Sequence, residues 1–168
     1  MYFYGVWQKL FDSMERELPI DFVEGLPTKD LINEFADGTS RCIVLDDLMS
    51  DVVKSVDMQH IFTRGSHHKN ITVIYLNQNM YCPGKFSRTL SLNTQYIFIL
   101  KCPRDTTQLT VLGRQIGVGK SLIEAYEDVM TDNSYGYLLL DLSPHNNDGY
   151  KLKTNIFPGE TKIVYIPI

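Results

Sequence analysis

The run Cys42-Ile43-Val44-Leu45, delivered straight into Asp46-Asp47, constrains the fold of this chain more than any other segment. Four successive apolar residues leave no polar face, as a parallel strand buried on both sides requires, and the paired carboxylates mark where that strand emerges. Parallel neighbours can be joined only by a crossover, usually a helix, so strands and helices should alternate along the rest of the chain.

The apolar spacing follows that expectation. Tyr2-Phe3-Tyr4 before Gly5 reads as a strand, and Trp7, Leu10, Phe11 and Met14 then recur at helical intervals until Pro19. Beyond Asp47, Ser50 and Asp51 are placed to cap a helix carrying Val52, Val53, Val56 and His60 on one face, with Gly65 as its left-handed ending. Residues 71–76 form the next strand, closing in Asn77-Gln78-Asn79, and residues 96–100 a further buried run ending at Lys101-Cys102-Pro103-Arg104. Helices over 106–115 and 120–130 follow, then strands near 137–142, 150–157 and 163–166 that read as an antiparallel edge. Polar residues thus gather where strands end, and in open parallel sheets the crevice beyond those carboxyl ends is where ligands bind.

Composition narrows the function classes. At 168 residues, 43% hydrophobic and 21% charged, the chain has the length of one domain and the means to build a core. A net charge of -4 is not the signature of a basic nucleic-acid-binding domain, although a local basic loop remains able to touch phosphate. Three scattered cysteines, Cys42, Cys82 and Cys102, make no disulfide framework and suit a reducing compartment, cytosolic or nuclear. No basic leader precedes an apolar stretch, and no segment reaches the ~18 apolar residues of a membrane helix, so neither export nor membrane contact is expected.

Adjacent carboxylates at a buried strand's end have the form of a Walker B element: Asp46 would hold Mg²⁺ through water and Asp47 would orient the water that attacks a γ-phosphate. A strand entering a loop also ends in Asp for solvation and capping, and the pair alone does not choose between these roles. Gln78, at the end of the next strand, is placed as an amide sensor of the γ-phosphate, whereas Asn77 and Asn79 suit turn chemistry. Arg104 stands where an arginine finger could reach a neighbouring subunit, with Arg88 as the fallback and a solvated loop residue as the plainer account. Gly117-Val118-Gly119-Lys120-Ser121 ends like a phosphate loop but fails its spacing, since Arg114 occupies the place of the required glycine. The segment Thr63-Arg64-Gly65-Ser66-His67-His68-Lys69 reads as a compact basic turn, either solvated or touching a nucleic-acid backbone. The histidines and cysteines show no zinc-ligand spacing.

Taken in order, Val23-Glu24-Gly25-Leu26-Pro27, then Cys42 to Asp47, Thr63 to His68 and Tyr75-Leu76-Asn77-Gln78-Asn79 resemble the DNA-packaging ATPases of poxviruses and of the virus-like Polinton/Maverick elements, in the FtsK/HerA-like branch of P-loop ATPases. The resemblance runs from Tyr2 to about Gln115, and Asn155-Ile156-Phe157-Pro158-Gly159-Glu160 is similar to tails of virus-derived animal copies. It implies a partial P-loop NTPase fold of the RecA/ASCE type: a mostly parallel sheet with flanking helices and a C-terminal antiparallel edge. Within one incomplete domain, residues 1–115 would be the Walker B and sensor core and 116–168 the C-terminal helix and edge strands. The implied activity is ATP-driven translocation of double-stranded DNA into a capsid by a homo-oligomeric ring, in the nucleus or a cytoplasmic viral factory, with ATP and Mg²⁺ as cofactors and capsid proteins as further partners. Position by position, Asp46 matches the magnesium carboxylate, Asp47 the catalytic carboxylate, Gln78 the sensor and Arg104 the trans-acting arginine.

Two departures qualify the match. Many relatives carry Glu where Asp47 stands, so the attacking water would sit closer. The family's phosphate loop lies on a first strand and helix N-terminal to everything seen here, and that strand runs between those read at 71–76 and 96–100. Its loss implies a gap in the sheet, with unpaired buried backbone groups costing about 1 to 3 kcal/mol each against a total stability of about 5 to 15 kcal/mol. The expectation is therefore the C-terminal part of a packaging ATPase, inactive in this form. A non-catalytic DNA-binding or protein-interaction module derived from such an enzyme is the alternative, and a rearranged NTPase using Lys120 is third.

Overall fold

In the computed structural model the described residues are 1–104, 106–133 and 135–167, without the side chains of Ser66, His67 and Asp132. The chain divides into two compact units, Met1–Asn93 and Thr94–Ile168.

In the first unit, β1 (Tyr2–Tyr4), α1 (Lys9–Glu17), β2 (Phe22–Glu24), α2 (Lys29–Phe35), β3 (Arg41–Asp46), α3 (Met49–Val52), α4 (Val56–His60), α5 (Ser66–Lys69), β4 (Ile71–Tyr75) and α6 (Ser87–Asn93) follow one another. The four strands form a wholly parallel sheet in the order β2-β1-β3-β4. Alternation along each strand separates two faces. Phe3, Ile43, Leu45 and Ile71 point to one of them, where Ile32 of α2, Val52 of α3, Met58 of α4 and Leu90 of α6 complete the core. The other carries Tyr2, Phe22, Val44 and Ile74, which lie opposite one another in register, and α1 covers its β1 and β2 half by stacking Phe11 on Phe22 and against Tyr2.

That second face corrects the expectation for β3. Ile43 and Leu45 are fully buried but Cys42 is exposed, so the apolar run is enclosed on one side only. The segment after it also differs from the sequence reading. Two short helices, α3 and α4, replace one, and Ser55 caps the second by accepting a hydrogen bond from the Met58 amide at 3.3 Å. Gly65 has no left-handed backbone and instead closes a π-helical turn, Ile61–Gly65, which runs directly into α5, so the expected basic turn is helical.

In the second unit, β5 (Tyr96–Leu100), α7 (Thr107–Gln115), α8 (Gly119–Asp132), β6 (Tyr137–Asp141), β7 (Leu152–Thr154) and β8 (Ile163–Tyr165) make an antiparallel sheet in the order β5-β6-β7-β8. The C-terminal strands are antiparallel as expected. They do not edge the parallel sheet, because β5 pairs with β6 and belongs to their sheet. Nor is β5 a buried run: Ile99 is inside, while Tyr96, Phe98 and Leu100 are about half exposed or more. Part of the segment expected as a strand over 150–157 is a 3-10 turn, Asp148–Tyr150, before β7. A mostly buried ion pair, Lys153 Nζ to Asp141 Oδ2 at 2.6 Å, ties β7 to the end of β6, and Asn146 Oδ1 accepts from the same ammonium at 3.0 Å.

Candidate functional site at the carboxyl rim of the parallel sheet

Parallel strands end on the same side, and three backbone bonds carry the ladder past their last residues: Gly5 N to Asp46 O at 3.0 Å, Gly25 N to Tyr4 O at 2.9 Å and Leu76 N to Leu45 O at 2.9 Å. The rim so formed brings Asp46 and Asp47 beside the segment carrying Gln78, since Leu45 lies opposite Tyr75 and the two chains leave the sheet together.

The two carboxylates stand in different surroundings. Asp46 is still in β3 and partly buried, and its Oδ2 accepts a hydrogen bond from the Tyr2 hydroxyl at 2.8 Å. Burial, then the bond to Asp46 and its negative charge, push the Tyr2 hydroxyl's pKa well above the usual tyrosine range, so it remains a donor. Oδ1 keeps no protein partner among the described residues. Asp47 is exposed and adopts a left-handed backbone, φ 55°, a conformation that Asp tolerates better than most side chains. Its carbonyl lies so close to Gly5 that a Cβ there would stand 2.4 Å from the oxygen, so only glycine lets β1 end against this corner.

Along the neighbouring loop, Asn77 Oδ1 accepts from the Asn79 amide at 3.2 Å and Asn79 Oδ1 from the Tyr81 amide at 3.0 Å. Turn formation therefore occupies both asparagines, while Gln78 is exposed and hydrogen-bonds to nothing among the described residues. Arg88 lies exposed on α6 of the same unit. Arg104 lies exposed beyond β5, in the second unit.

Two residues of the rim were not singled out from the sequence. Tyr2 reads in the sequence only as a strand residue, although two tyrosines at alternate positions of a strand put both rings on one face. Gly5 was read only as the residue after a strand. A further oddity lies beneath the opposite face: the Tyr75 hydroxyl is buried with no hydrogen-bond partner among the described residues, and burial, with a smaller contribution from Cys82, pushes its pKa up to about 12.

Elsewhere, the glycines of the Gly-Lys-Ser segment serve the turn between α7 and α8, where Gly117 has φ 77° and Gly119 φ 47°. Lys120 bonds to Glu124 one helical turn on, at 2.6 Å. In the basic segment, Arg64 and His68 are exposed and Lys69 reaches Asn33 of α2, whereas the His67 side chain lies outside the described residues.

For Mg²⁺, no group of three or more His, Cys, Asp or Glu side chains is gathered among the described residues. Mg²⁺ keeps most of its waters and needs only one or two carboxylates, so the free Oδ1 of Asp46 with exposed Asp47 fits a water-mediated hold. Among the described residues no helix is long and apolar enough to cross a membrane. Compared with known proteins, the chain matches no family model, no curated protein and no solved structure.

Proposed function

We propose that this chain is the C-terminal part of an ATP-driven DNA translocase of the packaging type, with its Mg²⁺ and water-orienting carboxylates at the end of β3. The observation that carries this reading is the rim itself: Asp46 and Asp47 leave a parallel strand alongside a loop that commits its two asparagines to turns and leaves Gln78 available. In this assignment Asp46, steadied by Tyr2, holds the metal's water shell through Oδ1. Asp47 aligns and deprotonates the attacking water, and Gln78 hydrogen-bonds that water and the γ-phosphate. Bound Mg²⁺ supplies charge neutralisation between the phosphates. Arg104 would act across a ring of copies, and double-stranded DNA and capsid proteins would be the partners.

This reading needs a phosphate cradle that the described residues do not supply, so its test uses a form of the protein that hydrolyses ATP. In such a protein Asp47→Asn is expected to leave nucleotide binding within about twofold and to cut ATP turnover by a hundredfold or more, the scale of losing a general base. Unchanged turnover in a steady-state phosphate-release assay refutes the assignment.

One observation favours a second reading, a non-catalytic binding module. The Tyr2 hydroxyl already occupies one Asp46 oxygen, an arrangement that also serves structure alone. DNA or protein binding that ignores ATP and Mg²⁺ would select it.

A further inference from the structure

The antiparallel sheet of the second unit ends on β5, which has β6 on one side and no strand on the other. The pairing fixes which groups face the open side. Leu142 N donates to Gln95 O at 2.8 Å, so 95 and 142 form a hydrogen-bonded pair, and because such pairs alternate along an antiparallel ladder, 97 with 140 and 99 with 138 are the next ones. The amides and carbonyls of Tyr96, Phe98 and Leu100 therefore point away from β6. Their side chains are open as well, at 51%, 47% and 65% exposed, on the face opposite buried Ile99. Phe157, itself half exposed, stacks on Phe98 with 14° between the ring planes and so holds that ring in place.

Nothing in Tyr96-Ile97-Phe98-Ile99-Leu100 blunts this edge, since it carries neither charge nor proline. The nearest charge, Lys101, is occupied within the unit, where its Nζ donates to Met130 O at 2.9 Å. The sheet's other edge differs. Strand β8 has only three residues, with Lys162 just before it and Pro167 just after Ile166.

From this open edge and its own sequence, we infer that β5 is a homodimer surface, on which a second copy of the chain adds its β5 antiparallel about a two-fold axis at Phe98. Centred there, Phe98 faces the partner's Phe98 and Tyr96 faces the partner's Leu100. Each facing pair exchanges two hydrogen bonds, so every outward amide and carbonyl of both strands is used. An axis at Ile97 or Ile99 would instead present groups already bonded to β6. The Phe98 axis also sets apolar side chains against apolar ones, with no charge in the strand to meet its own copy, and one strand thus supplies both halves of an isologous interface. An unrelated extended segment would need to bring that match itself. A single strand pairing buries less than the roughly 1,200 Å² of a standard interface, so the dimer forms reversibly, in the micromolar range. This rests on the second unit alone and not on the nucleotide reading.

Sedimentation equilibrium of the 168-residue chain from about 1 μM to about 1 mM is expected to show monomer and dimer in exchange, with amide exchange slowing at 96, 98 and 100 as concentration rises. Phe98→Lys sets two ammonium groups against each other at the axis and should weaken association by about tenfold or more. That change also removes a ring from Phe157, so a second set of variants reads the register directly. Leu100→Glu alone should weaken the dimer, and adding Tyr96→Lys should restore it. The two positions lie about 13 Å apart within one strand, so their charges meet only across the two-fold axis. Circular dichroism confirms that each variant is folded. A monomer throughout the range, association indifferent to Phe98→Lys, or no recovery in the double variant overturns the inference. A dimer dissolved by Ile74→Lys on β4 but not by Leu100→Glu overturns it too.

Discussion

Tyr2 and Asp46 show how one hydrogen bond sets the character of a carboxylate. A buried hydroxyl donating to a charged acceptor is worth about 1.5 to 3 kcal/mol, so Tyr2→Phe is expected to lower stability by that order in urea unfolding. The sign with pH is also set. The folded-state pKa of Tyr2 is raised, so as pH climbs past about 10 the unfolded chain loses this proton first and stability falls from there upward. Tyr2→Phe should flatten part of that alkaline decline. At Asp141 the direction reverses. Burial alone would raise its pKa, but the bonds from Lys153 and Ser143 outweigh it and bring the carboxyl below the usual range. Its stabilisation is present above the ordinary carboxylate pKa and lost as acid protonates it. Asp141→Asn leaves the Lys153 ammonium buried without its counter-charge, and a loss of about 3 to 5 kcal/mol is expected by the same measurement.

Among the elements, β1 closes tightly against the end of β3. Gly5→Ala drives a methyl into the Asp47 carbonyl, and overpacking of this kind costs about 1 to 3 kcal/mol. A drop in melting temperature with increased amide exchange at residues 46 and 47 is the outcome to look for. Legibility in the sequence followed element length and pattern. The apolar run at β3 was readable as an unbroken block of strand length, and α7 and α8 as helices because each repeats its period over several turns. Strand β2, with only three residues, and α2, which begins at a Thr28 cap rather than with an apolar stripe, were not. The break between α3 and α4 escaped because Val52, Val53 and Val56 fit one helical face, while Ser55 prefers to start a new helix by accepting from the Met58 amide. Of the site, the acids and Gln78 were visible as strand-end residues. Tyr2 was not, because what makes it important is a contact 44 positions away.

On the scale of the whole molecule, each unit has its own sheet and its own buried residues. Leu45→Ala is expected to cost about 2 to 5 kcal/mol and to raise exchange mainly within Met1–Asn93, and Leu138→Ala should do the same within Thr94–Ile168. Exchange mapped by mass spectrometry distinguishes this from a single cooperative core, which would respond throughout to either change. The parallel unit carries both acids and Gln78. The twist of the main chain at residue 47 carries a lesson of its own. A backbone held at φ 55° admits Asp and Asn with less strain than other side chains, so conformation has a vote alongside chemistry in choosing the side chain. A longer acid would gain a methylene of reach at the cost of greater backbone strain in this corner.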